Sequence, residues 1–248
     1  MKTALFRKED IYRGNLILIN RDNPIRVEEE IKRNLVPVAN SHHLLNREAS
    51  DKIHQILIKV DLNNEIRPVS CFRSKEEQEN LYNQSIRENG MDFTRKYVAR
   101  PDTSEHQSGL AIDLGENKPD IDFICPSFPY HGVFNKFRRL AKLNGFIERY
   151  KEDKEQITGI SKEPWHFRYV GYPHSLIIEE AGLALEEYHD FVRGFDSEEN
   201  SFLYRDTEYT WSIFYVGLVD DIMYLDIKAD YYSISGNNRD GFIITCRK

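Results

Sequence analysis

The stretch SEHQSGLAID, residues 104–113, places polar side chains directly before an apolar run that ends in a lone aspartate. His106 and Asp113 are seven residues apart, and in a regular strand an odd separation puts two side chains on opposite faces. They can converge only where the chain turns between them, and Ser108-Gly109 has the conformational freedom for a turn. The stretch therefore predicts a turn and then a buried strand that together bring Asp113 back to His106.

The segments before this stretch predict a strand and two helices. NLILIN (15–20) has the composition of a first strand, and apolar residues at helical spacing in 50–60 predict a helix that begins at Ser50. Ser74 and Glu77 form a capping box, which predicts a helix start at Ser74 and leaves Arg73 at the end of the preceding strand. Such a junction holds a side chain firmly in place.

The pattern of the chain changes near residue 196. Beyond it, segments rich in aromatic and β-branched residues alternate with turn signals, and GNNRDG between two of them predicts a hairpin. We therefore predict an α+β fold in which helices pack around a small antiparallel sheet, with a β-rich C-terminal appendage.

Composition excludes several classes of protein. The 248-residue chain has a formal net charge of -7, which argues against nucleic acid as a partner. It contains no long apolar run and no signal-peptide pattern, which predicts a protein without a membrane span or export signal. Its three scattered cysteines favour neither a disulfide framework nor a metal knuckle. We therefore expect a cytoplasmic location with reduced thiols.

A second polar cluster, EPWHF, contains Glu163 and His166. Pro164 excludes a helical H-E-x-x-H arrangement, because the residue before a proline adopts extended geometry. With His106 and Asp113, His166 would complete a three-ligand zinc set that keeps a fourth position for water, and Glu163 would be the general base beside it. The residues alone leave open a structural alternative in which these side chains are hydrogen-bonding groups at strand ends.

Other polar residues favour structural roles. Adjacent histidines rarely bind one ion together, so His42 and His43 are interpreted as a surface loop. His189 is expected to be structural, and Glu105 is expected to be exposed to solvent rather than a metal ligand.

Three motifs in order along the chain resemble the zinc D-alanyl-D-alanine peptidases of the VanY and VanX kind. SEHQSGLAID fits the family motif S-x-H-x-x-G-x-A-x-D, EPWHFRYVG fits the motif E-x-x-H, and CFRSKEEQ resembles the arginine-containing strand-to-helix turn. The resemblance covers residues 65–175 and is closest to the carboxypeptidase branch. One departure is Asp102, which stands where the family pattern predicts glycine.

The resemblance implies a role for each matched residue. The implied ligands of one Zn²⁺ per chain are His106, Asp113 and His166. Glu163 is implied as the base that takes a proton from the attacking water and returns it to the leaving amine. Arg73 is implied as the cation that polarises the scissile carbonyl, a task that suits a planar, permanently charged guanidinium. Ser104 and Gln78 are implied as substrate-binding residues.

The implied activity is that of a D,D-dipeptidase and D,D-carboxypeptidase of the VanXY type, with D-Ala-D-Ala and peptidoglycan precursor peptides as its partners. In the cytoplasm these substrates are the free dipeptide and soluble precursors, which indicates a role in vancomycin resistance. The expected domains are a catalytic domain over 1–196 and a small β-rich extension over 197–248. Two alternatives stay open, a peptidoglycan endopeptidase of the endolysin kind and a catalytically silent metal-binding module. The sequence leaves the oligomeric state undetermined.

Overall fold

The computed structural model describes residues 2–38 and 41–248. The helices in chain order are α1 (Glu28–Lys32), α2 (Arg47–Val60), α3 (Lys75–Asn89), α4 (Met91–Tyr97), α5 (Gly132–Leu143), α6 (Glu155–Thr158), α7 (His174–Ala181) and α8 (Leu185–Val192). The strands in chain order are β1 (Lys2–Arg7), β2 (Leu35–Pro37), β3 (Leu44–Asn46), β4 (Ile66–Ser70), β5 (Ala111–Glu116), β6 (Phe146–Tyr150), β7 (Glu163–Tyr169), β8 (Phe202–Arg205), β9 (Thr210–Gly217), β10 (Ile222–Ile227), β11 (Tyr231–Gly236) and β12 (Gly241–Arg247).

One compact unit, Ile19–Ala184, is built on an antiparallel sheet with the strand order β4-β5-β7-β6. The two central strands, β5 and β7, are buried along almost their whole length. Helix α5 covers them with Phe137, whose ring lies 5.0 Å from that of Phe167 in β7, and α2 packs against α5. The predicted α+β fold with a small antiparallel sheet is confirmed, and its most buried strands are those that carry the predicted metal ligands.

Side-chain caps determine where two helices of this unit begin. Helix α2 begins at Arg47 rather than at Ser50, because the Asn46 side chain accepts hydrogen bonds from the backbone N–H groups of residues 48 and 49. The predicted start was therefore wrong by almost one turn. The capping box of α3 is confirmed, since Ser74 Oγ accepts from the backbone N–H of Glu77 and the Glu77 carboxylate accepts from that of Ser74. This cap holds Arg73 between β4 and α3.

The described residues up to Leu18, together with Leu185–Lys248, form a second compact unit. Its sheet has the strand order β11-β12-β9-β8, and β1 pairs with β10 in a separate two-stranded sheet. The predicted hairpin joins β11 to β12, where Asn237 Oδ1 accepts three backbone N–H groups of the turn. The predicted β-rich C-terminal region is therefore confirmed.

The prediction of a strand at NLILIN (15–20) was wrong. Residues 16–19 are a buried irregular segment, in which the backbone N–H of Leu16 donates to Ser235 Oγ and that of Leu18 donates to the carbonyl of Asn237. These partners satisfy the backbone without a strand ladder. Because β1 and this segment belong with the C-terminal strands, the compact units do not follow the expected boundary at 196/197, and the domains 1–196 and 197–248 stay a prediction. Among the described residues, no helix combines the length and apolar character needed to span a membrane.

Candidate metal centre and active-site cleft

Two of the predicted ligands lie opposite each other on neighbouring strands. Strands β5 and β7 pair in the register that places Asp113 opposite His166, and Nδ1 of His166 lies 2.9 Å from Oδ1 of Asp113. The flanking residues Ile112 and Phe167 are buried and also face each other across the pair. A slip of one residue would turn these apolar side chains and the two polar ones to the wrong faces. Packing of the sheet therefore holds the pair in place.

His106 reaches the same place from the turn before β5. It lies in a single 3-10 turn, Glu105–Ser108, which ends at Gly109 with a left-handed φ of 68°. A Cβ at Gly109 would lie 2.6 Å from Leu35 Cδ2, so the Leu35 side chain would have to shift, and the left-handed φ angle also favours glycine. Nε2 of His106 lies 3.1 Å from Oδ2 of Asp113. The predicted turn between His106 and Asp113 is therefore confirmed.

The three side chains together form a set of ligand atoms that suits a divalent cation. One ligand atom from each of His106, Asp113 and His166 lies within 4.8 Å of the other two, and all three residues are buried. Nδ1 of His106 faces the carbonyl of Cys71 at 2.6 Å, and a carbonyl can only accept, so this nitrogen carries the proton. Nε2 of His106 is then unprotonated, and its lone pair faces the other two ligand residues and is available to a metal ion. Two imidazoles and a carboxylate are the donor set of a catalytic zinc site with an open position.

Glu105 holds the second histidine in the matching orientation. Its Oε2 lies 3.3 Å from Nε2 of His166, and its Oε1 accepts from Arg149 Nε at 3.0 Å and from Arg168 Nη1 at 2.7 Å. The side chains of Glu105 and of both arginines are completely buried. The expectation that Glu105 is exposed was wrong. Two arginines that are distant in the sequence provide opposite charges, and their attraction offsets the free-energy cost of removing the carboxylate from water.

The charges around Glu105 determine which nitrogen of His166 carries the proton. Burial raises the pKa of Glu105, but Arg168 and Arg149 outweigh this effect and hold the pKa well below its ordinary value. A carboxylate can only accept, so the His166 nitrogen that faces Glu105, Nε2, is the one that keeps its proton when a metal ion displaces the proton from Nδ1. Nδ1 of His166 is thereby the nitrogen available to a metal ion. A carboxylate behind a metal-binding histidine is a recurrent feature of zinc sites.

The pKa values of the ligands reflect their mutual contacts. Burial raises the pKa of Asp113, but the two imidazoles outweigh it and lower the pKa below the ordinary range. Burial lowers the pKa of His106. In His166 burial acts in the same direction, but hydrogen bonds to Asp113 and Glu105 raise the pKa to about 10. A cation that binds here would therefore displace a proton from His166, as is usual when protein ligands take up a metal.

Glu163 and Arg73 lie beside the ligand set. Glu163 is buried, with Oε2 at 3.8 Å from Nδ1 of His166, and burial raises its pKa well above the ordinary value. The Arg73 guanidinium donates to Gln78 Oε1 at 2.7 Å and to Ser70 Oγ at 2.6 Å. These two bonds leave part of the guanidinium fork for other acceptors. Burial lowers the pKa of Arg73, yet an arginine remains charged at neutral pH.

All seven predicted site residues line one cleft of the Ile19–Ala184 unit. The cleft has about 470 Å³ of atom-free space, part of it open to solvent. Ser104 and Gln78 are buried in its wall, and Gln78 also donates to the carbonyl of Ala99 at 2.7 Å. Phe123 closes another side and lies 5.8 Å from the Arg73 guanidinium. The cleft thus combines an apolar wall, one fixed cation and a set of metal ligands.

Other observations agree with the sequence interpretation of the remaining residues. The rings of His42 and His43 stack at 4.4 Å beside a different cavity. Within residues 2–38 and 41–248, no second group of three metal-ligand side chains converges. Asp102 has a positive φ of 67°, which explains why the family pattern has glycine there, and its carboxylate is paired with Lys75. Aspartate is among the residues that tolerate this backbone conformation.

Residues 42–172 match the model of the family VanY, D-alanyl-D-alanine carboxypeptidase, which is just over half of the chain. The chain belongs to the VanY family. VanXYC of Enterococcus gallinarum, a bifunctional D-Ala-D-Ala dipeptidase and D-Ala-D-Ala carboxypeptidase, is 42% identical over 181 residues, which are 72% of this chain and 95% of VanXYC. The resemblance inferred from the motifs is therefore confirmed.

Two crystal structures of vancomycin-resistance peptidases are similar to this chain. The vancomycin-resistance D,D-dipeptidase VanXYg, in complex with a phosphinate analogue of D-Ala-D-Ala, has a TM-score of 0.96 at 49% identity, with 100% of this chain and 99% of VanXYg covered. A variant of the D,D-pentapeptidase VanY from a VanB-type cassette, in complex with Zn(II), has a TM-score of 0.59 at 30% identity, with 71% and 98% covered. At least one of these relatives has therefore been solved with zinc bound.

Proposed function

We propose that this VanY-family chain is a zinc-dependent D,D-dipeptidase and D,D-carboxypeptidase, which hydrolyses D-Ala-D-Ala and removes the terminal D-Ala from peptidoglycan precursors. The observation that carries the proposal is the convergence of His106, Asp113 and His166 beside Glu163 and Arg73 in one cleft. Similarity over nearly the whole of the bifunctional VanXYC supports both activities. By acting on cytoplasmic precursors the enzyme would lower the amount of vancomycin's D-Ala-D-Ala target.

We assign one Zn²⁺ per chain to His106, Asp113 and His166, whose carboxylate, His106 Nε2 and, after loss of its proton, His166 Nδ1 fit it. When bound, the ion supplies Lewis acidity for the scissile carbonyl, an acidified water and a positive charge that favours the ionised form of Glu163. The protein holds the ligands through the Cys71 carbonyl and the Glu105 carboxylate, so little reorganisation accompanies binding.

Glu163 is assigned as the general base and acid. Its buried position raises the proton affinity of the carboxylate, which suits a group that takes a proton from the attacking water. The same carboxyl group then delivers the proton to the leaving amine of D-alanine. Its position at the start of β7, three residues before His166, places proton transfer next to the metal ligands.

Arg73 is assigned to the negative charge that develops on the carbonyl oxygen. Its hydrogen bonds to Gln78 and Ser70 fix the guanidinium before substrate arrives, which is the condition for electrostatic stabilisation without reorganisation. Gln78 and Ser104 remain the proposed substrate contacts of the cleft wall, and Gln78 in addition positions Arg73.

The test is to incubate the zinc-loaded protein with D-Ala-D-Ala and with a UDP-linked pentapeptide that ends in D-Ala-D-Ala, and to quantify released D-alanine. We expect release from both substrates, loss of release with a chelator, and one zinc per chain by elemental analysis. Lysis of purified cell walls without release from soluble substrates would favour the endopeptidase alternative instead. Zinc binding without any release would favour the silent binding module.

A further inference from the structure

A second groove lies next to the active-site cleft in the Ile19–Ala184 unit. It has about 1350 Å³ of atom-free space, part of it open to solvent, and is formed by residues 20–22, the end of α4 with the residues that follow it, the end of β6 and residues 155–160. Val98, Ala99, Tyr150 and Ile160 line both the groove and the cleft. The two spaces are therefore neighbours that share a wall.

The groove is rich in arginine although the chain is acidic as a whole. Arg95 and Arg100 are both exposed at its edge, and neither guanidinium is hydrogen-bonded or ion-paired within residues 2–38 and 41–248. The acidic residues of the groove have partners of their own. Asp22 lies 3.6 Å from Arg21, and Glu155 accepts the backbone N–H of Lys162. The chain as a whole has a net charge of -7, so two unpaired cations beside the cleft form a local region of positive charge, which attracts anions.

The chemistry of the guanidinium defines the ligand class. Its planar fork binds a carboxylate or a phosphate through paired, charge-assisted hydrogen bonds. A free dipeptide has nothing upstream of its D-Ala-D-Ala, whereas a longer precursor continues upstream and carries peptide carboxylates or, in nucleotide-linked forms, a diphosphate. We propose that Arg95 and Arg100 form an anion subsite that binds such a group and so favours long precursors over the dipeptide. This inference rests on the proposed function, since it concerns the substrate of the same cleft.

The experiment compares kcat/KM for four substrates at low ionic strength. They are D-Ala-D-Ala, a pentapeptide with an upstream carboxylate, the same pentapeptide with that carboxylate amidated, and the UDP-linked pentapeptide. In the double variant Arg95→Gln/Arg100→Gln we expect the ratio of kcat/KM for the anionic pentapeptide to that for the dipeptide to fall about fivefold to tenfold. The double variant Arg95→Lys/Arg100→Lys should restore part of this ratio. The difference in the ratio between the unaltered protein and the glutamine variant should become smaller in high salt. The matched control is Arg87→Gln, an exposed arginine of α3 outside the groove, which should leave the ratio unchanged.

Comparison of the four substrates shows which group supplies the anion. A loss seen with the carboxylate pentapeptide but not with its amidated form assigns the subsite to the peptide carboxylate, and a loss confined to the UDP-linked form assigns it to the diphosphate. An unchanged ratio for every anionic substrate, in a variant with unaltered thermal stability, overturns the subsite. If the unaltered protein does not hydrolyse D-Ala-D-Ala at all, the proposed function fails instead, so the two failures are separate.

Discussion

Replacing Glu105 by glutamine removes one negative charge from the most deeply buried ionic cluster beside the metal ligands. The Glu105 carboxylate neutralises Arg149 and Arg168 through Oε1 and holds His166 through Oε2. Glutamine has nearly the same shape but only one acceptor oxygen. If that oxygen faces the two arginines, the amide NH₂ faces Nε2 of His166, where two N–H groups would repel each other.

Two separate losses follow from this change. Loss of the charge removes the carboxylate that two buried guanidiniums share, which we expect to lower the free energy of unfolding by about 3–5 kcal/mol. Repulsion at Nε2 favours the other tautomer of His166, in which the proton sits on Nδ1, the nitrogen assigned to the metal. Zinc affinity should therefore fall by about 10- to 100-fold, the usual effect of removing a partner behind a metal ligand.

Denaturant unfolding of the metal-free protein measures the first loss, and competition with a chromogenic chelator measures the second. The matched control is Arg149→Met, which removes a partner of Oε1 but leaves the bond between Glu105 and His166. We expect this control to lower stability while zinc affinity changes by less than about threefold. The reasoning about His166 is refuted if Glu105→Gln and Arg149→Met reduce stability alike and both keep normal zinc affinity.

Three further predictions concern the catalytic carboxyl, the turn before β5 and the acid range. Glu163→Gln should lower kcat by about 10²- to 10⁴-fold with zinc content unchanged, as measured by kinetics and elemental analysis; an active variant would show that another group is the base. Gly109→Ala should lower the free energy of unfolding by about 1–3 kcal/mol, because the positive φ and the contact with Leu35 both oppose a Cβ. Gly159→Ala has a similar left-handed backbone conformation but no atom within 4 Å, so its smaller loss isolates the contact; equal losses would contradict this account. The folded-state pKa of Glu105 is depressed below the reference value of 4.5, so its contribution to stability is present above that pH and is lost as the pH falls. The difference in unfolding free energy between the unaltered protein and Glu105→Gln should therefore narrow below about pH 4.5, and a difference that widens there would contradict the assigned charge.

The convergence of the proposed metal ligands could be predicted from the sequence because it depends on residue types in a short, ordered pattern. The helix start at Ser74 was predictable for the same reason, since a capping box is a local feature of four residues. Gly109 also belongs here, because only a flexible residue allows His106 and Asp113 to meet. These features involve neighbours in the chain, or motifs whose order survives in the sequence.

The tertiary structure alone decided the surroundings of these ligands. Glu105 looked like a surface residue because its partners, Arg149 and Arg168, are 44 and 63 positions away and belong to different strands. The pairing of β1 with β10 likewise joins segments more than 200 residues apart, and no local pattern records it. A buried charge is stable only when opposite charges reach it through the fold. The sequence by itself therefore determined which residues form the proposed metal site, and only the packing of distant strands determined which hydrogen bonds and charges surround them.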